Sequence, residues 1–232
     1  MEIKIFPDAE TVAREAAKVI AAEARLAVVA RGKFVLAVSG GRTPWQMLRV
    51  LANESMPWAQ VQVVQVDERI APAGHADRNL THLRESLARA PLRAEQIHAM
   101  PVEEKDLESA AANYARTLAQ LAGSPPVLDL IHLGLGADGH TASLVPGDPV
   151  LEISGRDVAL TGIYQGRRRM TLTYPLLNRA RKILWVVTGA EKAGMLGRLC
   201  AGKVSIPAGR IASVTAVVLA DRASRGDAPT VP

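Results

Sequence analysis

The chemically richest stretch of this chain is Gly134-Leu135-Gly136-Ala137-Asp138-Gly139-His140-Thr141, where an imidazole follows a carboxylate by two residues inside a glycine-rich run. Histidine accepts a proton near neutrality, and a neighbouring carboxylate can fix its tautomer or raise its basicity. His75, His82, His98 and His132 have no such company and read as structural. Asp138 and His140 bring no third ligand at a recognisable spacing, and a single cysteine offers no thiolate cluster, so no metal site is expected. Gly134, Gly136 and Gly139 do match the spacing of a dinucleotide fingerprint. That fingerprint needs a long helix starting at the loop and an acid closing the next strand. Pro146 and Pro149 stop any such helix within about two turns, and the strand near Val158 delivers no acid. The dinucleotide reading fails.

Two further loops carry charge or room for it. Ser39-Gly40-Gly41-Arg42-Thr43-Pro44 follows an apolar run, and its paired glycines let backbone amides approach an anion. Thr43 is placed to cap the next helix and Pro44 suits its first turn. The plainer reading, a tight strand-to-helix turn, stands beside it. Asp67-Glu68-Arg69 is either a solvated loop or a carboxylate and guanidinium that orient a polyhydroxylated ligand. Asn79 reads as a helix N-cap. Arg167-Arg168-Arg169 and Lys192 are surface charge or the extra cations that a phosphate at a helix N-terminus attracts.

The elements that must position these loops are legible as alternating patterns. Apolar runs at Phe34–Ser39, Val61–Val66, Leu128–Leu133, Val158–Thr161, Met170–Thr173, Ile183–Thr188 and Ala216–Ala220 predict strands. Amphipathic segments near 10–31, 44–55, 79–90, 107–122 and 191–201 predict helices. The alternation predicts an α/β fold with a mostly parallel sheet covered on both faces, whose ligand lies beyond the strands' carboxyl ends. Residues 1–232 read as a single domain, with 221–232 as a frayed tail.

Composition narrows the partners. Hydrophobic residues make up 48% and charged residues 22%, an ordinary globular balance. The net charge of +5 suits an anion, yet the cations are dispersed and aromatics reach only 3%, so no nucleic acid is expected. No apolar run approaches the ~20 residues of a membrane span and the first residues show no signal-peptide pattern, so no membrane association and a cytoplasmic location are expected.

Taken together, the motifs resemble the 6-phosphogluconolactonase family. The resemblance rests on Gly40-Gly41-Arg42-Thr43-Pro44, Asp67-Glu68-Arg69, and the run from Gly134 through Leu144 with Pro146-Gly147. It also rests on Arg169-Met170-Thr171-Leu172 and Gly189-Ala190-Glu191-Lys192-Ala193, all in the family's order. It implies a three-layer, Rossmann-like α/β/α fold shared with glucosamine-6-phosphate deaminases and isomerases. It implies hydrolysis of 6-phospho-D-glucono-1,5-lactone to 6-phosphogluconate in the oxidative pentose phosphate pathway, without a cofactor, by a monomer or small homo-oligomer. By that resemblance His140 is the general base, with Asp138 beside it. Gly40, Gly41, Arg42, Thr43, Gly136, Arg169 and Lys192 would hold the substrate and its phosphate, with Asp67 and Arg69 nearby. Many members carry a lysine-proline pair shortly before the arginine; here Tyr164-Gln165-Gly166-Arg167 stands there, and Arg167 or Arg168 is the candidate replacement.

Two rivals differ in chemistry. An aldose–ketose isomerase or deaminase must take a proton from C2 and open the ring, which needs a further carboxylate. The isomerising relatives place a glutamate soon after the histidine, whereas Thr141-Ala142-Ser143-Leu144-Val145 offers none before Asp148. A non-catalytic sugar-phosphate sensor would bring a nucleic-acid or partner domain, and no stretch resembles one.

Overall fold

The computed structural model describes residues 1–212 and 214–226. Strands β1 (Glu2–Phe6), β10 (Ala216–Asp221), β9 (Ile183–Val187), β6 (Leu130–Leu133), β2 (Phe34–Val38), β3 (Val61–Gln65) and β5 (Ile97–His98) lie side by side in that order. All neighbours are parallel. The central strands are nearly continuous runs of Val, Leu, Ile and Phe, as parallel strands buried on both faces must be.

Alternate side chains feed two separate cores. Phe34, Leu36, Val61, Val63, Leu130 and Leu184 pack with α1 (Ala9–Arg31), α2 (Arg42–Leu51) and α3 (Asn79–Ser86). Val35, Ala37, Val64, Ile131, Leu133 and Trp185 pack with α4 (Leu107–Ala122) and α6 (Ala193–Cys200). The period-two alternation of a strand thus becomes the three-layer α/β/α arrangement. In α1 the buried stripe is mostly alanine, small enough to bring the helix close to the sheet. Asp8 caps it by accepting from the Thr11 amide at 2.7 Å, and Gly32, at φ 73°, ends it.

Several expectations need correction. The runs near 158 and 170 do not join the main sheet. β7 (Val158–Leu160) and β8 (Arg169–Leu172) pair antiparallel in a separate three-stranded sheet with β4 (Asp67–Arg69), a segment expected as a loop. Val158, Met170 and Leu172 fill the core on the α4 side. Periodicity says only that a run is strand-like; which sheet it joins is decided by tertiary packing. β1, β5, α5 (Tyr174–Leu177) and α7 (Arg222–Arg225) were not anticipated. Within the expected tail, Asp221 closes β10 and caps α7 through the Ser224 amide, while 227–232 lie outside the described residues.

The strand order positions the site. From β2 the chain moves to β3 and β5 on one side, then returns to lay β6 on the other. At that reversal a crevice opens beyond the carboxyl ends. β2 and β6 are registered at Leu36–Leu130 and Ala37–Ile131; just beyond, the Ser39 amide donates to Nδ1 of His132 at 3.3 Å. The His132 ring is fully buried, which pushes its pKa down to about 3 and keeps it a neutral acceptor.

Candidate active site

Above the crevice lies a cleft of about 860 Å³ formed by the loops after β2, β6 and β9, together with β4 and β8. Gly40, Gly41, Arg42, Thr43, Asp67, Arg69, Gly136, His140, Arg169 and Lys192 all line it. Asp138 stands behind His140 rather than in the lining. Five cations (Arg42, Arg49, Arg69, Arg169, Lys192) share the cleft with three acids (Asp67, Glu191, Asp221), so its electrostatic bias favours an anion.

The loop after β6 is folded tightly around its own histidine. The Gly136 amide donates to the His140 carbonyl at 2.8 Å, and the Gly139 amide to the Gly136 carbonyl at 3.0 Å. Gly136 cannot be replaced cheaply, because a Cβ there would lie 2.1 Å from His140 Nδ1. Asp138 Oδ1 meets that Nδ1 at 2.5 Å and accepts from the His140 amide at 3.1 Å. A carboxylate on Nδ1 holds the neutral ring with its lone pair on Nε2. Burial pushes the Asp138 carboxyl up, but the His140 amide, the His140 ring and the Tyr164 hydroxyl outweigh it and hold it below the usual carboxylate range. No long helix follows the loop: Thr141 and Leu144 close a turn, and the next helical residues are the single 3₁₀ turn Pro149–Glu152.

The glycine loop after β2 behaves differently from its cap prediction. Gly41 is the N-cap of α2, with φ 136°, and no side chain caps the helix. Thr43 instead bonds Thr188 Oγ1 at 2.7 Å, tying the loop after β2 to the loop after β9. Gly40 packs so closely that a Cβ would lie 2.2 Å from Asn79 Oδ1. The first turn of α2 therefore presents its amides and positive dipole end to the cleft unopposed by a side-chain acceptor.

In β4 the alternation of a strand separates the three charges. Asp67 and Arg69 face the cleft, and Glu68 turns away to full burial. The Glu68 carboxylate accepts from the amides of Arg69, Asn79 and Leu80 and from Gln65 Nε2, each at 2.8 Å. Arg78 Nε lies 3.2 Å from it. Glu68 thus caps α3 from outside. Asn79, expected as the cap, is the first helical residue, and its side chain donates to the Asp67 carbonyl and accepts from Arg69. Asp67 Oδ2 accepts from Ser143 Oγ at 2.6 Å.

Of the three consecutive arginines, Arg169 is the one in the cleft. Arg167 pairs with Asp77 at 2.7 Å, Arg168 bonds the Thr161 carbonyl, and neither lines the cleft. Arg169 is 4% exposed, and its Nε has no hydrogen-bond partner. Burial draws its pKa down while Asp67 opposes the shift. A guanidinium in the cleft wall with few protein partners is suited to receive an anion. Lys192 caps α6 and reaches Glu191 only loosely, at 3.9 Å. Among the described residues, no three His, Cys, Asp or Glu side chains are grouped to hold a metal ion, and no helix is long and apolar enough to cross a membrane.

The structural roles of Glu68, Ser143, Tyr164 and Thr188 are not legible in the sequence. Ser143, Tyr164 and Thr188 bond Asp67, Asp138 and Thr43, which lie 76, 26 and 145 residues away, and the partners of Glu68 are spread over β3, β4 and α3.

Comparison with known proteins places these features in context. A family model described as glucosamine-6-phosphate isomerases/6-phosphogluconolactonase matches residues 7–219. The chain is 39% identical over 180 residues to a 6-phosphogluconolactonase of Synechocystis, covering 75% of each. It is 32% identical to a 6-phosphogluconolactonase of Mycobacterium tuberculosis over 98% of both chains. Its fold superposes on the crystal structure of a 6-phosphogluconolactonase from Shewanella baltica with a TM-score of 0.83 at 27% identity, covering 95% of this chain and 97% of that one.

Proposed function

The chain belongs to the glucosamine-6-phosphate isomerase/6-phosphogluconolactonase family, and on that premise we propose that it hydrolyses 6-phospho-D-glucono-1,5-lactone to 6-phospho-D-gluconate. The observation that carries this reading is the Asp138–His140 pair, 2.5 Å apart, bordering the same cleft as Arg169 with its unused Nε donor. The Asp138–His140 pair suits proton transfer, and the Arg169 guanidinium suits a phosphate.

In the proposed reaction, Nε2 of His140 takes a proton from water as the oxygen attacks C1 of the lactone. The C1–oxygen ring bond then breaks, and the imidazolium returns the proton to the departing ring oxygen. The product acid releases its proton to solvent. Asp138 holds the ring's tautomer and stabilises the imidazolium. Arg169, Lys192 and the first turn of α2 hold the phosphate, which fixes C1 against the base and reduces the entropic barrier. Asp67, Arg69 and Gly136 border the sugar. The reaction as written calls for no cofactor, and the reading carries with it the oxidative pentose phosphate pathway.

Proton release from freshly generated 6-phosphogluconolactone, corrected for spontaneous hydrolysis, tests the proposal. His140→Asn should fold normally and lose turnover by about a hundredfold or more. Full turnover in that variant would remove His140 as the base. Equal acceleration of the unphosphorylated lactone would remove the phosphate end of the site. No acceleration of either substrate would point to isomerase chemistry, for which the buried carboxylate of Asp67 is the available base.

A further inference from the structure

The tip of the β7–β8 hairpin reaches the Asp138–His140 pair. Tyr164 and Arg167 bridge each other across a two-residue turn, with Gln165 at φ 51° and Gly166 at φ 79°. Positive φ at both central positions is the tight hairpin turn that matches strand twist. It fixes where Tyr164 emerges from the sheet.

From there Tyr164 makes three contacts. Its Oη donates to Asp138 Oδ2 at 3.0 Å, the carboxylate oxygen that His140 does not use. Its ring meets the His140 ring edge-on, with centroids 5.4 Å apart at 66°. Arg169 Cζ lies over the same ring, 4.9 Å from its centroid. The adjacent Gln165 accepts from Arg169 Nη2 at 3.2 Å.

We propose that Tyr164 is a positioning residue for the reaction, one side chain that holds the Asp138–His140 pair and the phosphate-binding Arg169 in a fixed relation to each other. This rests on the roles given above to His140 and Arg169. With both oxygens engaged, the Asp138 carboxylate cannot rotate away from Nδ1. With an aromatic face beneath it, the Arg169 guanidinium keeps its orientation even before an anion arrives. Burial and then the Asp138 bond push the Tyr164 hydroxyl up, so it remains a donor throughout the working range. The charged groups around this cluster are Asp138 and His140 on the loop after β6, Arg169 on β8, Asp67 and Arg69 on β4, and Asp77 beyond them.

The test is the pH profile of kcat/KM for Tyr164→Phe and Tyr164→Leu, on the phosphorylated and unphosphorylated lactones, with His140→Asn as control and urea unfolding to verify folding. Phe keeps the ring and loses the hydroxyl. The Asp138 charge is then less dispersed and holds the ring proton more tightly. The acid limb, which belongs to the coupled pair, should move to higher pH by about half to one unit on both substrates, with KM little changed. Leu should shift the limb equally and also raise KM roughly two- to fivefold, for the phosphorylated lactone alone. A Phe profile that coincides with the parent's overturns the proposal, as does a loss confined to kcat with both profiles unmoved. If Leu unfolds the hairpin, Phe decides alone. Full turnover by His140→Asn would remove the general-base role of His140 on which this inference rests while leaving the hydrolysis itself standing, whereas an inactive His140→Asn with an unmoved Phe profile would sink only the role of Tyr164.

Discussion

Arg169 is a guanidinium buried with fewer partners than it can use: one bond to Gln165, a long one to Ser143, and an empty Nε. Replacing it with lysine keeps the charge and discards the planar fork, so Arg169→Lys should raise KM for the phosphorylated lactone roughly tenfold to a hundredfold. Initial rates on the unphosphorylated lactone should stay at the parent value; a matching loss there would mean that Arg169 serves the fold rather than the anion. Residues of this kind were partly legible. Gly40-Gly41, Asp67-x-Arg69 and Asp138-Gly139-His140 stand out because each lies at or just past the end of an apolar run, and a strand's carboxyl end is where a ligand sits. Ser143 and Tyr164 gave no such signal. A serine in a loop and a tyrosine before a Gln-Gly turn acquire meaning only when folding sets them against Asp67 and Asp138.

At the scale of elements, β4 shows how one short strand organises half the cleft. Its alternation sends Asp67 and Arg69 to the ligand side and Glu68 inward, where a single carboxylate satisfies the first amides of α3 and faces the buried Arg78. Glu68→Gln turns one acceptor into a donor and leaves Arg78 with Glu103, at the surface, as its remaining carboxylate partner. Unfolding in urea should show a loss of about 3 kcal/mol, and a loss below the error of extrapolation would mean that α3 does not depend on this cap. The sequence reading took Asp67-Glu68-Arg69 for a loop because three charges in a row carry no apolar alternation. The same limit explains β7 and β8. Their apolar runs announce strands, but only the antiparallel register of Asp67, Glu68 and Arg69 with Thr171, Met170 and Arg169 reveals that they form a second sheet. By contrast α1 and α4 are legible to within a residue from their long amphipathic stripes, and in the structure each begins at an aspartate cap.

For the molecule as a whole, His132 joins stability to the opening of the crevice. Its ring is neutral in the folded protein down to about pH 3, whereas an unfolded histidine protonates near 6.5. Above 6.5 both states bind no proton and the term vanishes. Between 6.5 and 3 the unfolded state binds more, so stability falls with acid at about 1.4 kcal/mol per pH unit. His132→Asn retains an acceptor for the Ser39 amide and cannot titrate; its unfolding free energy should be flatter over that window, and an unchanged slope would assign acid sensitivity elsewhere. The two cores and the switch in strand order were foreseeable as a class from alternating runs, but the neighbours of β2 were not, because order in a sheet is a long-range property. Gly40 carries a last consequence, of a historical kind. The space a methyl group would need there is already filled by the Asn79 amide, which in turn steadies Arg69 and the Asp67 carbonyl. Position 40 is therefore open to alanine only in lineages where position 79 has first given up its amide, and the two sites, separated in sequence by α2, β3 and β4, should drift as one.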